Sequence, residues 1–223
     1  MKTKLKTFAL LFAGLLFFAT DAYSQLSFGT EAYNRYVWRG ADFGNSPSIQ
    51  PDINYTAGNF EIGTWAAFAT TGDPAGTEVD FYSSYTFATE AGDFSLAVTD
   101  YTFPDDPVGN YFSSESHFIE VGAGYSGTES FPITIFTGVF VTNDDDYSVY
   151  TELGYEIGEV ALFMGFTPSE SQLYGTTGAG IINTGFSVSK DIQITEMFSL
   201  GLNGSVIANP YSDNLFFLIG FGL

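Results

Sequence analysis

Residues 198 to 223 read FSLGLNGSVIANPYSDNLFFLIGFGL, and this stretch contains two alternating segments separated by turn residues. In the second segment Leu215, Phe217, Ile219, Phe221 and Leu223 alternate with other residues up to the end of the chain. A period of two places successive side chains on opposite faces of a β-strand. The turn signals fall at 208–213, which contains Asn-Pro and Ser-Asp. The stretch therefore predicts two antiparallel strands, each with one apolar face.

The same pattern recurs along the chain and predicts twelve strands. Most predicted segments have about the length of a tilted strand that crosses a bilayer, roughly 9–11 residues, whereas strands of water-soluble proteins are shorter. We predict an all-β fold, a transmembrane up-and-down antiparallel β-barrel of about twelve strands. The predicted strands lie near 26–38, 47–57, 60–70, 78–89, 94–103, 114–126, 133–142, 147–157, 160–167, 178–189, 198–207 and 214–223.

Connector length alternates along the chain. Tight turns are predicted at 58–59, 90–93, 127–132, 158–159 and 190–197, and longer loops separate the other strand pairs. Outer-membrane barrels have short turns at one end and longer loops at the other. This pattern places both ends of the barrel domain on the turn side, which in an outer membrane faces the periplasm.

The first residues predict an export signal. Lys2, Lys4 and Lys6 precede an apolar run at 8–19, and small residues then occupy 22–24. This is the pattern of a cleaved leader, and the apolar run is shorter than the roughly 20 residues of a membrane-spanning helix. We expect residues 1–24 to be a signal peptide removed after Sec-type export, and residues 25–223 to form one barrel domain in the bacterial outer membrane.

The composition excludes several classes of partner. Without Lys2, Lys4, Lys6 and Asp21, the mature chain keeps three basic residues against 25 acidic ones, a net charge of −22. Nucleic acid binding needs clustered basic residues, and anionic head groups would be repelled. There is no cysteine, so no disulfide can stabilise the exported domain. We expect contact with outer-membrane lipid and small solutes and predict no cofactor; a protein partner is not indicated.

A water-soluble barrel with its apolar face inward is the alternative to a membrane barrel. Three features favour the membrane. The last strand resembles the C-terminal signal of outer-membrane proteins, although that signal usually ends in Phe or Tyr and this chain ends in Leu223. Aromatic residues gather near strand ends, where interfacial girdles lie. Only Lys190 remains in the mature chain to make a polar exterior soluble.

One part of the chain resembles a known family. The stretch 33–40 reads YNRYVWRG and is followed by SIQP at 48–51, GTWA at 63–66 and EVDFY at 78–82. These motifs resemble the opening of the TorF-type porins, over roughly residues 28–87. The resemblance implies a porin-like outer-membrane barrel and does not imply a particular solute.

Arg35 and Arg39 are the strongest candidate site residues. They share strand parity with Glu31, so both are predicted to project into the lumen near its outer end, where they could pair with Glu78, Asp80 or Asp52. Such pairs could form a selective constriction or a structural plug that fills the interior. The predicted lumen and constriction set is Arg35, Arg39, Glu31, Asp52, Glu61, Glu78, Asp80, Glu120, Glu152 and Glu156.

These residues predict a passive diffusion channel for small solutes. Glu61, Glu120, Glu152 and Glu156 make the lumen electronegative, which favours cations unless these carboxyls are protonated or paired. The alternatives are a closed structural or ligand-binding barrel plugged by Arg–carboxylate pairs and a lipid-modifying enzyme.

We predict that the protein is not an enzyme. His117 is the only histidine. The outer-membrane phospholipase family, also a twelve-stranded barrel, places a histidine two residues before its catalytic serine, and here residue 119 is Ile. The acidic residues at 105–106 and 144–146 predict solvated loops rather than a metal site, because they lack the alternating spacing of a calcium loop.

Overall fold

A computed structural model describes residues 24–105 and 111–223. The predicted signal peptide, apart from Ser24, and the candidate acid Asp106 lie outside the described residues. The described chain forms a closed antiparallel barrel of twelve strands with a separate two-stranded hairpin, which confirms the predicted fold class. Among the described residues no helix is long and apolar enough to cross a membrane.

The strands follow one another around the barrel in chain order. Two single-turn 3-10 helices, Pro74–Gly76 and Ser114–Ser116, lie in the connections before β6 and β8. The strands are β1 Ser24–Tyr33, β2 Tyr36–Trp38, β3 Ala41–Phe43, β4 Ser48–Ala57, β5 Phe60–Ala69, β6 Glu78–Thr89, β7 Gly92–Thr102, β8 Phe118–Ser126, β9 Ile133–Phe140, β10 Val149–Ile157, β11 Val160–Thr167, β12 Gly180–Thr195, β13 Phe198–Asn209 and β14 Asn214–Gly222.

The barrel closes where β1 meets β14. This pairing runs from Glu31 opposite Gly222 to Tyr33 opposite Gly220, whereas β1 pairs with β4 along its whole length. Asn34 extends the seam, because its side chain donates to the Phe217 carbonyl at 2.9 Å and accepts from the Ile219 amide at 2.8 Å. Backbone and side-chain hydrogen bonds together therefore hold the closure.

Most predicted strand bounds lie within a few residues of the observed ones, with two corrections. The first predicted strand was continued to Trp38, but β1 ends at Tyr33 and the next residues leave the wall. The predicted turn at 190–197 is mostly strand: β12 continues to Thr195, which pairs with Phe198 across a bulge. Ile192 and Ile194 continue the alternation there, so the period of two extends further than the prediction placed it.

The apolar face of the barrel points outward. Leu96 is 56% exposed and Ile219 71% exposed, and the same holds for apolar residues around the whole wall. The residues between them point inward and are mainly polar, small or aromatic. An exterior of this kind excludes the soluble alternative, because a water-soluble barrel buries its apolar face.

The β2–β3 hairpin lies inside the loop end of the barrel. Residues 36–43, here called the hairpin plug, connect β1 to β4 but pair with neither. Tyr36 is buried although it belongs to a connection rather than to the wall. The connection that the sequence predicted as strand followed by loop is thus an inserted hairpin.

Candidate functional site

The tip of the hairpin plug is a two-residue turn. Trp38 pairs with Ala41, and the residues between them, Arg39 and Gly40, both have positive φ, as a type I′ hairpin turn requires. A Cβ on Gly40 would lie 2.0 Å from the carbonyl oxygen of Ile182. Ile182 is the extra residue of a bulge in β12 and is buried. The glycine therefore allows both the turn and its close approach to the wall.

Arg39 forms a buried ion pair with Glu120 of β8. Its Nη1 and Nη2 donate to the two carboxylate oxygens at 2.7 and 2.9 Å, and the side chains are 9% and 3% exposed. Burial is the largest single cause and lowers the pKa of the guanidinium, but the hydrogen bonds to Glu120 and the electrostatic effects of Tyr174, Glu120 and Tyr101 together hold the pKa above its ordinary value. Arg39 is therefore charged, and its charge is neutralised inside the barrel.

Aromatic rings surround the same guanidinium. Its central carbon lies 4.4 Å from the ring centre of Trp38 and 4.2 Å from that of Tyr150. The Tyr101 hydroxyl donates to Glu120 at 3.0 Å, which adds a second donor to the carboxylate. Stacking on rings and a bidentate carboxylate are the contacts that distinguish arginine from lysine.

The other side of the hairpin plug rests against an acidic part of the wall. The Tyr36 hydroxyl donates to Glu78 of β6 at 2.8 Å, and its ring packs on Trp65 of β5 with ring centres 5.3 Å apart. Asp80 is also buried, and its Oδ1 has no hydrogen-bond partner. Glu78 and Asp80 thus line the part of the wall on which the plug rests, here called the seat, and the plug contacts this seat through the Tyr36 hydroxyl.

The hairpin plug contacts the wall on nearly all sides. Trp38 packs on Tyr101 of β7 and Phe140 of β9, and the Asn209 side chain of β13 donates to the Gly40 carbonyl at 3.2 Å. With the contacts above, the plug touches β5 to β10, β12 and β13. These contacts span the lumen at the loop end of the barrel.

A second segment covers the plug. In the loop at 168–177, the Tyr174 hydroxyl accepts from Arg39 Nη1 at 2.7 Å, and its ring lies 6.1 Å from that of Trp38. Buried Ser171 holds this loop through hydrogen bonds to the Ser148 hydroxyl at 2.6 Å and from the Tyr174 amide at 3.0 Å. Burial is the main cause that raises the pKa of Tyr174 to about 12.

The structure corrects the predicted partners of the two arginines. Arg35 follows the end of β1 and pairs with Asp42 inside the hairpin plug, half exposed, so it does not project from a wall strand. Neither arginine pairs with Glu78, Asp80 or Asp52. The prediction extended the parity of β1 beyond Tyr33, but the chain turns into the lumen there and a new hairpin sets the direction of both side chains.

The remaining predicted acids line the lumen at different heights. Glu31 accepts from Asn203 at 3.1 Å, Glu152 accepts from Asn183 at 3.0 Å, and Glu61 is within 3.4 Å of the Thr56 hydroxyl. Asp52 lies beside Asn54, also at 3.4 Å. Glu156 is exposed near the turn end. Below the plug, therefore, the inner face presents several carboxylates that are not paired with arginine.

Sequence reasoning missed Trp38, Tyr150 and Tyr174 as members of the site. Trp38 is the last residue of the first predicted strand, where an aromatic girdle is expected, and the other two come from a strand and a loop far along the chain. The one available signal was the YVWRG stretch, in which an arginine and a glycine follow aromatic residues at a turn. It indicates a hairpin tip but does not reveal what the tip contacts.

His117 lies on the other side of the wall. Asp100 pairs across strands with the exposed Phe81, so its side chain is on the outward face. Nδ1 of His117 is 2.8 Å from Asp100 Oδ2, and Nε2 is 2.7 Å from the Tyr111 carbonyl oxygen. The hydrogen bond to Asp100 is the main cause that raises the pKa of His117 above its ordinary value. Both acceptors are satisfied together when the ring carries two protons.

The described residues contain no cluster of three or more His, Asp or Glu side chains arranged to hold a metal ion. The acidic loop at 144–146 instead organises backbone. Asp144 accepts from the Ser148 amide at 2.6 Å, and Asp146 accepts from the Gln172 amide at 2.7 Å. Asp144 thus organises its own loop, and Asp146 joins that loop to the loop at 168–177.

A closed antiparallel barrel with an apolar exterior and a largely polar inner face is the architecture of bacterial outer-membrane proteins, and the fold of this chain is of this class. The chain belongs to the Gcw_chp family, described as a bacterial protein of unknown function, whose model matches residues 19–205. No curated protein matches the chain. The family match does not supply the TorF-type porin function that residues 28–87 suggested.

Two solved structures are similar in fold at low identity. Outer membrane phospholipase A from Escherichia coli has 12% identity and a TM-score of 0.43, and the match covers 88% of each chain. A structure described as "Asymmetric conductivity of engineered proteins" has 15% identity and a TM-score of 0.39. That match covers 79% of this chain but 55% of the other, so this chain spans little more than half of its length. Likenesses at this level carry no argument about what this chain does.

Proposed function

We propose that this protein is an outer-membrane channel that the hairpin plug holds shut at rest and that passes small solutes when the plug leaves its seat. The observation that carries the proposal is the bidentate ion pair between Arg39, at the tip of the plug, and Glu120, on the wall. The pair lies in the loop end of the lumen, where the plug crosses the path that a solute would take.

The chemistry of the seat supports a reversible plug. An ion pair and hydrogen bonds hold the tip, and a buried ion pair gains little net stability because desolvation offsets most of the attraction. Unseating would return Arg39, Glu120 and Tyr174 to water, which solvates them well. Seated and unseated states can therefore lie close in free energy, unlike the two states of an apolar core segment.

Cation preference is part of the proposal. Glu31, Asp52 and Glu61 face the lumen below the plug and are not paired with an arginine among the described contacts. Carboxylates in a narrow lumen with low-dielectric walls concentrate cations. The resemblance of residues 28–87 to the TorF-type porins supports a channel and names no solute.

The test is single-channel recording with residues 25–223 refolded and inserted into a planar bilayer under a salt gradient. We expect the parent to be closed most of the time and Arg39→Ala to show frequent steps with a cation-selective reversal potential. Arg35→Ala is the matched control, because Arg35 pairs with Asp42 of the plug and not with the wall. It should stay nearly as closed as the parent.

Two outcomes would overturn the proposal. A parent that conducts steadily at full amplitude would mean that the hairpin plug does not close the lumen. An Arg39→Ala variant that folds and stays silent would favour the second candidate, a permanently closed structural barrel, which the extent of plug-to-wall contact also supports. In an opened variant, Glu61→Gln should move the reversal potential towards zero, and the exposed loop change Glu170→Gln should not.

The location and the absence of catalysis are also proposals. We infer that the barrel lies in the outer membrane with its turn end in the periplasm, after export directed by residues 1–24. We assign His117 no catalytic role, because its two ring nitrogens are engaged by Asp100 and the Tyr111 carbonyl and neither is available as a base. A refolded chain that hydrolyses phospholipid, with loss of activity in His117→Ala, would contradict this.

A further inference from the structure

Two described parts of the connection between β7 and β8, residues 103–105 and 111–117, lie against the outer face of the barrel and are here called the outer clasp. Thr102 pairs with Val79 on the outward face, yet it is only 4% exposed because the clasp covers it. The Tyr111 ring packs on Phe81 with ring centres 5.9 Å apart. The clasp thus stands against the apolar exterior.

An apolar pocket lies between the outer clasp and the wall. Its volume is about 140 Å³, close to the roughly 150 Å³ apolar cavity that holds a benzene molecule in another protein. Polar groups near the pocket are already bonded within the protein, since Thr102 donates to the Val79 carbonyl and His117 has acceptors on both nitrogens. The wall side consists of Val79, Phe81 and Thr102, and the clasp side includes Phe103, Pro104 and Tyr111.

The mouth of the pocket continues into the apolar exterior. Phe81 and Tyr111 belong both to the lining and to the exposed apolar residues, and Val98 and Val121 extend that exposed surface along the neighbouring strands. A group that enters from this surface comes from the phase that covers the barrel. In a membrane that phase is hydrocarbon.

We propose that the outer clasp pocket binds one acyl chain of a membrane lipid at the loop end of the barrel. The chain fills the space between Val79 and Tyr111, and the remainder of the lipid continues along the exterior. The hydrogen bond from His117 to the Tyr111 carbonyl positions the clasp, so His117 maintains the pocket without contacting the chain. This inference rests on the barrel being embedded in lipid and does not depend on whether the plug opens.

The experiment uses residues 25–223 in lipid nanodiscs that contain a small fraction of a phosphatidylcholine with a diazirine at the end of one acyl chain. After illumination, mass spectrometry locates the labelled peptides. We expect the peptides with residues 79–81 and 111–117 to carry at least about five times more label than the peptide with Leu215 and Phe217, although these two residues are more exposed than Phe81 and Tyr111. Labelling to the same extent on all exposed strands would overturn the proposal.

Variants separate the pocket from the general surface. Val79→Trp fills the pocket and should lower the label on 111–117 about fivefold, whereas Val98→Trp, on the same outward face outside the lining, should not. If Val79→Trp fails to fold, Tyr111→Ala removes the clasp side of the pocket, with Phe112→Ala as its neighbouring control. Equal labelling in each variant and its control would overturn the pocket.

Competition identifies the source of the chain. Unlabelled phosphatidylcholine should displace the label from the clasp peptides. Displacement by free lauric acid but not by phosphatidylcholine would overturn the assignment to a membrane lipid. Labelling nowhere on the chain would instead reject the membrane barrel itself, whereas an open or silent channel leaves this result unchanged.

Discussion

Arg39 and Glu120 are 81 residues apart in the chain and meet inside the loop end of the barrel, where Nη1 donates to Oε1 and Nη2 to Oε2 of the carboxylate. The pair joins a hairpin that belongs to no wall strand to the third residue of β8. It therefore connects the segment that fills the lumen with the wall that encloses it, and both residues are almost fully buried.

Removing one member of this pair should lower the free energy of unfolding more, per substitution, than removing both members together. Arg39→Ala and Glu120→Gln are each expected to lower the free energy of unfolding by about 3–5 kcal/mol, because each leaves a buried group without its partner. The double variant should cost clearly less than the sum of the two, since neither charge remains. Urea unfolding in detergent micelles measures all four states, and additive costs would contradict a direct pairing.

Gly40→Ala should prevent the hairpin plug from seating. An added Cβ would lie 2.0 Å from the Ile182 carbonyl oxygen, in a residue that also has positive φ. Gly72→Ala is the matched control, with φ +73 against +76 but no atom within 4 Å of the added Cβ. The difference between the two variants isolates the clash from the backbone strain.

Limited trypsin digestion measures this effect, because the mature chain has only Arg35, Arg39 and Lys190 as cleavage sites. Cleavage after Arg39 should be slow in the parent and in Gly72→Ala, and at least about tenfold faster in Gly40→Ala. Lys190 is well exposed and serves as the internal reference. Equal protection of Arg39 in all three proteins would show that Gly40 does not determine seating.

Alkaline pH should weaken the cover over the plug. Burial raises the pKa of Tyr174 to about 12, above the value of about 10 for an unfolded tyrosine. The neutral hydroxyl therefore contributes its full stability below pH 10, and this contribution is lost as the pH rises from about 10 to 12. In spectrophotometric titration at 295 nm, the absorbance change near pH 12 should be smaller by one tyrosine in Tyr174→Phe than in the parent. Identical titration curves would contradict the assignment.

The outer clasp should respond to pH in a lower range. The hydrogen bond to Asp100 is the main cause that raises the pKa of His117 above 6.5. The protonated ring contributes its stability fully below pH 6.5, and the contribution is lost as the pH rises through the folded-state pKa. Because His117 is the only histidine, one ¹³Cε1 resonance reports the titration. Asp100→Asn should lower this pKa, and an unchanged value would exclude the pairing.

The wall of the barrel was largely predictable because strand patterning is a local property. β6 and β11 have the predicted bounds of 78–89 and 160–167, and in both strands the alternation of large apolar and polar or small residues begins and ends at those positions. The outward direction of the apolar face was also predictable from the composition, because the mature chain has one lysine and a soluble exterior would need more. The predicted strand bounds were wrong where the local alternation does not coincide with strand pairing, after Tyr33 and at 190–197.

The seat of the plug was not predictable from the same information. The sequence placed Arg39 and Glu120 in the lumen, but it assigned Arg39 to other carboxylates because several acids share the inward parity. Which of them Arg39 reaches depends on where the hairpin turns and on the bulge that buries Ile182. Both are consequences of how distant strands pack, and no local period encodes them.

The sequence by itself determined the strands, their inward and outward faces and the acidic character of the inner face, because these depend on the spacing of neighbouring residues. The tertiary structure alone decided that residues 36–43 lie inside the barrel, that Arg39 pairs with Glu120 beneath Tyr174, and that the outer clasp covers Thr102. The contacts of the plug join segments dozens of residues apart, and the clasp folds back on the strand that precedes it. The geometry of both is set only when the closed barrel brings all twelve strands to fixed positions.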